Sequence, residues 1–300
     1  MHPNKKTNKF SSAYLLYKYQ TIFIILIICI SCSQISISEN SHIPKSISFQ
    51  KSIKLPFIPD KICYCSFSNT FLLLNGSENI IYRIDYNGKV LQKIGEFGFE
   101  RGQFVSISDI TTDSFGNLFV VDKVINKVVE YDEMGQFINS ISFSELAEPI
   151  LVEFKDSGDL ILYDSPTNEI YCFDNRRKLR YNFGQFILNL PVCLVSSNNV
   201  NYVLDKGNNN IVVFDNFGGI ITTIESKNEI INISTNKNIL YYIDSFSNIF
   251  CYKNQGKIRY KLASLNNFAP IINPNLIIAY KKVIGIIDKN NLYIFQLTIK

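Results

Sequence analysis

Few side chains in this 300-residue chain are equipped for chemistry, and where they fall narrows what the chain can do. Its two histidines are His2 and His42, so imidazole ligands for zinc or copper are missing from residue 46 onward. Cys63-Tyr-Cys65 is too little for a metal site, and no C-x-x-C pair occurs. G-x-S-x-G, the P-loop and H-E-x-x-H are also absent. Gly95-Glu-Phe-Gly98 and Gly98-Phe-Glu-Arg-Gly102 open no helix, so they cradle no phosphate. Aspartates are plentiful, and with backbone carbonyls they would suit a structural calcium. Otherwise no cofactor or metal is expected.

The remaining candidates bind rather than react. The connection Gly95–Phe104 carries Phe97, Phe99 and Phe104 with Arg101, beside Glu96 and Glu100. Aromatics with an arginine form an anchor set for a protein or peptide partner. The plainer reading makes Phe97 and Phe104 caps on a core and the loop a connector. Arg176-Arg177-Lys178 is a basic turn that would suit anionic lipid or a polyanion, or would merely be solvated.

The leader carries a third kind of chemistry. Met1–Gln20 is basic and polar, and Thr21–Ile30 is a short, strongly apolar run followed by Ser31 and Cys32. That is the layout of a secretory signal, too short in its apolar part for the roughly 20 residues of a membrane span. A small residue followed by Cys resembles a bacterial lipoprotein signal, implying cleavage before Cys32 and a lipid on its sulfur. Cys29 stands where that pattern usually has Leu. An uncleaved anchor and an ordinary secretory signal are the alternatives. We read residues 1–31 as the signal, 32–45 as a tether and 46–300 as the folded part.

Charge excludes one partner class. The net charge is +4, and Lys5, Lys6, Lys9 and Lys18 lie in the leader with no acidic residue among them. The rest of the chain is therefore near neutral, without the basic footprint of a nucleic-acid binder. Cys63, Cys65, Cys172, Cys193 and Cys251 make a poor disulfide framework and are expected as free thiols, mostly buried.

Several elements must position these residues, and a repeat defines them. A polar residue closes an apolar strand at Asn75, Asp122, Asp164, Asp205, Asp244 and Asp288. A second anchor closes the next strand at Asp85, Asp132, Asp174, Asp215, Lys253 and Gln296. The period is about 40 residues, the length of a propeller blade. Asn79, Asn126, Asn168, Asn209, Asn248 and Asn291 precede the third strand. Gly88, Gly135, Gly218 and Gly256 mark the turn into the fourth, where positive φ is cheap for Gly. Aspartates recurring from blade to blade are expected to satisfy turn backbone donors, not to form a catalytic ring.

The fold expected is all-β: a six-bladed β-propeller of four-stranded antiparallel blades. The sixth period ends at its third strand, while Ser46–Leu55 alternates and belongs to no other blade. We expect this N-terminal strand to close the last blade beside Leu292–Thr298, hiding open edges.

Gly95–Asp132 resembles the NHL repeat. It carries Gly102-Gln-Phe104, Asp113-Ser-Phe-Gly-Asn117, Leu118-Phe-Val-Val-Asp122 and Asn126-Lys-Val-Val-Glu-Tyr-Asp132. Lys127 stands where the family favours Arg, and Asn126 falls one place late. The family includes binding modules and a few enzymes, such as lactonases and amidating lyases with metal ligands around the channel. The expected function is a non-enzymatic binding or scaffold lipoprotein, exported and anchored in the bacterial cell envelope, with a protein partner. The alternative is an extracytoplasmic propeller hydrolase or lyase using a channel-bound divalent metal.

If Cys32 carries lipid, cells fed radioactive fatty acid will label the wild-type chain and leave Cys32→Ala unlabelled. Equal label on both would reject lipidation there.

Overall fold

The computed structural model describes residues 43–253, 258–268 and 271–299. The residues read as a signal, Cys32 and most of those read as a tether lie outside these residues, as does Gly256.

Each period of the sequence becomes one four-stranded antiparallel sheet. β1 is Pro44–Lys54, starting two residues before the expected Ser46. Blade one is β2 (Lys61–Cys65), β3 (Thr70–Asn75), β4 (Ile80–Ile84) and β5 (Val90–Ile94). Blade two is β6 (Ile107–Thr112), β7 (Leu118–Asp122), β8 (Lys127–Tyr131) and β9 (Phe137–Ile141). Blade three is β10 (Pro149–Phe154), β11 (Leu160–Asp164), β12 (Glu169–Phe173) and β13 (Leu179–Phe183). Blade four is β14 (Pro191–Ser197), β15 (Val200–Asp205), β16 (Asn210–Phe214) and β17 (Ile220–Glu225). Blade five is β18 (Ile230–Asn236), β19 (Ile239–Asp244), β20 (Asn248–Lys253) and β21 (Ile258–Ser264). Blade six joins β22 (Pro274–Tyr280), β23 (Val283–Asp288) and β24 (Asn291–Ile299), with β1 on the far edge of β24.

Burial explains the strand compositions. The second strand of a blade lies between neighbouring blades on both faces, so it reads as a continuous apolar run. Every residue of β3, β7, β11, β15 and β19 is buried. The fourth strands lie at the rim, and most positions of β5, β9 and β13 keep contact with water. The core is accordingly a series of interblade layers. Leu72, Leu74 and Ile81 of blade one pack with Ile110, Leu118 and Val120 of blade two. The ring closes the same way: Ile53 of β1 and Leu276, Ile287 and Ile294 of blade six pack with Phe71, Leu73 and Ile84 of blade one.

The recurrent aspartates are caps. Asp122 accepts the N–H groups of Val105 and Ser106, at 2.6 and 3.3 Å, in the segment entering its own blade. Asp164 does the same for Ala147 and Glu148, and Asp205 for Asn189 and Leu190. Asp85, Asp132, Asp174 and Asp215 each take two N–H groups of the following turn. Carboxylates spread in this way over separate blades would be hard to read as catalysts, and their hydrogen bonds account for them.

One detail of the repeat differs from the sequence reading. Asn79, Asn126, Asn168 and Asn209 take positive φ as the hairpin position demands. In blades five and six that conformation moves to Ser247 and Lys289, because these hairpins are tighter and Asn248 and Asn291 already lie in strands.

Ile53→Ala tests the closure. The variant should lose about 3 kcal/mol in urea unfolding, as a buried core truncation does. A loss near zero would mean that β1 does not carry the last interface.

Candidate functional site

Six first strands, β2, β6, β10, β14, β18 and β22, surround the propeller axis. Five of them carry a β-bulge near the start, next to Asp109, Leu151, Cys193, Asn232 and Leu276. A bulge inserts one unpaired residue and re-aims the side chains beyond it. Those five residues and Lys61 occupy equivalent places, each opposite the residue before the anchor that closes the second strand. Two residues on come Cys63, Thr111, Glu153, Val195, Ser234 and Ile278. They line a cavity of about 240 Å³.

Polar side chains bridge neighbouring blades along this wall. Asp109 Oδ2 accepts the Val152 N–H at 3.1 Å. Asn232 Oδ1 accepts the Ile277 N–H at 3.1 Å, and Ser234 Oγ accepts that of Ala279 at 2.9 Å. Lys61 goes further. Its ammonium lies 3.3 Å from Asp109 Oδ1 and donates to the Val192 carbonyl at 3.2 Å. Val192 is the bulged residue of blade four, opposite blade one in a ring of six. Lys61 therefore bars the channel.

Protonation is set by burial. Burial is the largest single influence and works against the Lys61 charge, but Asp109, Cys193 and Asp60 together outweigh it and the lysine pKa rises. Burial also raises Asp109, against the pull of Lys61 and of two backbone N–H groups. The two directions compete within one pair, and the contact geometry favours the ionised form. Glu153 forms no ion pair among the described residues. Burial pushes its carboxyl up to about 8, against hydrogen bonds from Phe154 N–H and Thr111 Oγ1. Burial likewise pushes the thiols of Cys63 and Cys193 up to about 12 and about 11. Neither thiol is a ready nucleophile, because the thiolate is the reactive form. The wall is thus suited to hydrogen bonding. Among the described residues, no three His, Cys, Asp or Glu side chains are grouped to hold a metal ion.

The Gly95–Phe104 loop sits at the end of the ring where the chain passes between blades. Hydrogen bonds from Phe104 N–H to Glu96 O and from Gly98 N–H to Phe104 O fix its shape. Phe104 is wholly buried beside Tyr131, so it cannot serve as a surface anchor. Phe97 and Phe99 are 65% and 76% exposed. Arg101 lies over the Phe137 ring at 5.1 Å. The structure therefore divides the set: Phe104 holds the loop, and Phe97 and Phe99 face water.

Arg176, Arg177 and Lys178 lie at the opposite end, in the turn before β13. Arg176 and Lys178 are exposed. Asp174 accepts both their N–H groups and is pulled below the usual carboxylate range, chiefly by the Lys178 N–H. Arg177 instead leans inward over Phe119 and Phe154.

Lys61, Asp109 and Glu153 were not marked by sequence reasoning. Their signal was a charged residue at matching places in the first strands, which becomes visible once the six strands are aligned on their anchors.

No protein-family model matches the chain. The B-box type zinc finger protein ncl-1 of Caenorhabditis elegans is 29% identical over 138 residues, 43% of this chain and 16% of its own length. Protein brain tumor of Drosophila melanogaster is 27% identical over 137 residues, covering 13% of that protein. The chain thus spans a small part of these relatives. Among solved structures, an inactive virginiamycin B lyase from Staphylococcus aureus with quinupristin aligns at TM-score 0.59 and 13% identity, covering 87% of this chain and 97% of that one. The Cps50 (Swd1) propeller domain of Myceliophteria thermophila aligns at TM-score 0.60 and 9% identity, covering 84% of this chain and all of that one. These likenesses show the fold.

A carboxyl raised in the folded state contributes stability below its unfolded pKa and loses it as pH climbs through the folded value. For Glu153 the window runs from its ordinary 4.5 to about 8. Glu153→Gln should gain on wild type steadily across that window, by up to about 5 kcal/mol at pH 9. Parallel pH–stability curves would contradict the assignment.

Proposed function

We propose that this chain is a non-enzymatic binding protein of the bacterial cell envelope, exported and lipid-anchored, with its propeller as a rigid scaffold for a protein partner. The observation that carries the reading is the pair Phe97 and Phe99, exposed on a loop already held in one shape. An anchor that is rigid before binding loses little entropy on binding. Other loops at this end add Val124, Phe186, Phe246 and Ile272, all exposed. Apolar side chains on loops above a stiff ring are how propellers present a contact surface. The NHL-like character of Gly95–Asp132 belongs to the same proposal, supported by the match to the two animal proteins.

Photo-crosslinking in cells tests it. A photoreactive residue in place of Phe97 or Phe99 should yield a discrete crosslinked protein, and one in place of Ile138 on the rim should not. No adduct from either loop position, or equal adducts from all three, would overturn the reading.

A further inference from the structure

The turn before the fourth strand has the same form in four blades. Its third N–H bonds back to the Asp carbonyl in Gly88, Gly135, Gly218 and Arg177 alike, at 2.9 to 3.2 Å. Three of these residues are glycines with φ between +75° and +88°; Arg177 takes φ +62°. That conformation disfavours any residue with a Cβ. A long cationic side chain is therefore held in a place the fold fills elsewhere with glycine.

What the side chain does there is specific. Its guanidinium lies 5.2 Å from the Phe119 ring and 5.6 Å from that of Phe154, between blades two and three. Stacking orients the guanidinium plane and leaves its N–H edge free. Among the described residues it makes no hydrogen bond, and no carboxylate lies within 4.0 Å of it. Glu130 feels its charge from farther away. The arginine borders a cavity of about 680 Å³ at the channel mouth, with Tyr64, Phe115, Glu153 and Lys155 on its walls. Glu153 is shared with the inner cavity barred by Lys61, so the pocket leads into the channel. Phe115 is 71% exposed and offers an apolar face. The Lys155 ammonium is already used, bonded to Tyr181 Oη and the Asn216 carbonyl at 2.5 and 2.8 Å.

We propose that this mouth binds a small organic acid, with Arg177 taking its carboxylate and Phe115 and Tyr64 covering an apolar body. The volume fits a small ligand. The guanidinium fork fits a carboxylate or a phosphate equally. Asp113 and Asp156 on the same rim favour a monoanion over a dianion. The site lies at the opposite end from the Phe97 and Phe99 loop, so the two proposals stand or fall separately.

The test uses the whole chain, with benzoate as probe and benzamide as its neutral counterpart, followed by NMR titration. Benzoate should bind about tenfold more tightly than benzamide, the worth of one charge-assisted contact. Shift changes should centre on residues 113–115, 153–158 and 175–178. Arg177→Gly should abolish the preference while melting within a few degrees of wild type, since glycine already serves this turn in three blades. Arg177→Lys should lose most of the preference. Absence of benzoate binding, equal binding of both probes, or a preference that survives in Arg177→Gly would leave Arg177 as an interblade staple only and reject the site.

Discussion

The innermost strand of every blade has a hydrogen-bonding neighbour on one side only. Its other edge faces the axis, where an unpaired N–H or C=O is costly unless water or a side chain meets it. In this ring the neighbouring blades supply the partners. Asp109 reaches the Val152 N–H, Asn232 that of Ile277, and Ser234 that of Ala279. Lys61 of blade one meets the carbonyl that the blade-four bulge sets free, from across the channel rather than from a neighbouring blade. One blade is thereby satisfied by the next, so a blade cannot keep its inner edge without its neighbour. The apolar layers between blades make the same demand, since each is built from two sheets at once.

The proposed function rests on that rigidity. A closed ring with shared layers holds its loops in fixed relation, so that, on the proposed function, small differences between blades form the surface offered to a partner. Blade two differs by a long hydrogen-bonded loop that lifts Phe97 and Phe99 into water. Blade three differs by an arginine in a glycine's place. Neither departure disturbs the repeat, because both lie in connections and the strands beneath keep the common pattern.

The ring was legible because its instructions are local. Each closing Asp sits at the end of an apolar run and caps segments close to it in the chain, so spacing alone exposed the period. Phe104 was harder. Three phenylalanines in ten residues look alike, and which one turns inward is decided by the loop's own hydrogen bonds. The channel residues were harder still. Asp109 and Glu153 look like surface positions of a strand, and only the bulges and the ring turn them toward the axis. Arg177 was read only as part of a basic turn; its place among Gly88, Gly135 and Gly218 came from the backbone, and its stacking on Phe119 and Phe154 joins residues from two blades, which no local pattern announces.

The interblade capping of inner edges can be read directly from amide hydrogen exchange. The Val152 amide has a carboxylate for its partner, and in the wild-type chain it should exchange as slowly as ladder amides in the middle of β11. In Asp109→Ala it should exchange far faster while the β11 amides stay protected. Rapid exchange of Val152 in the wild type, or protection unchanged by the substitution, would show that the blades do not complete one another in this way.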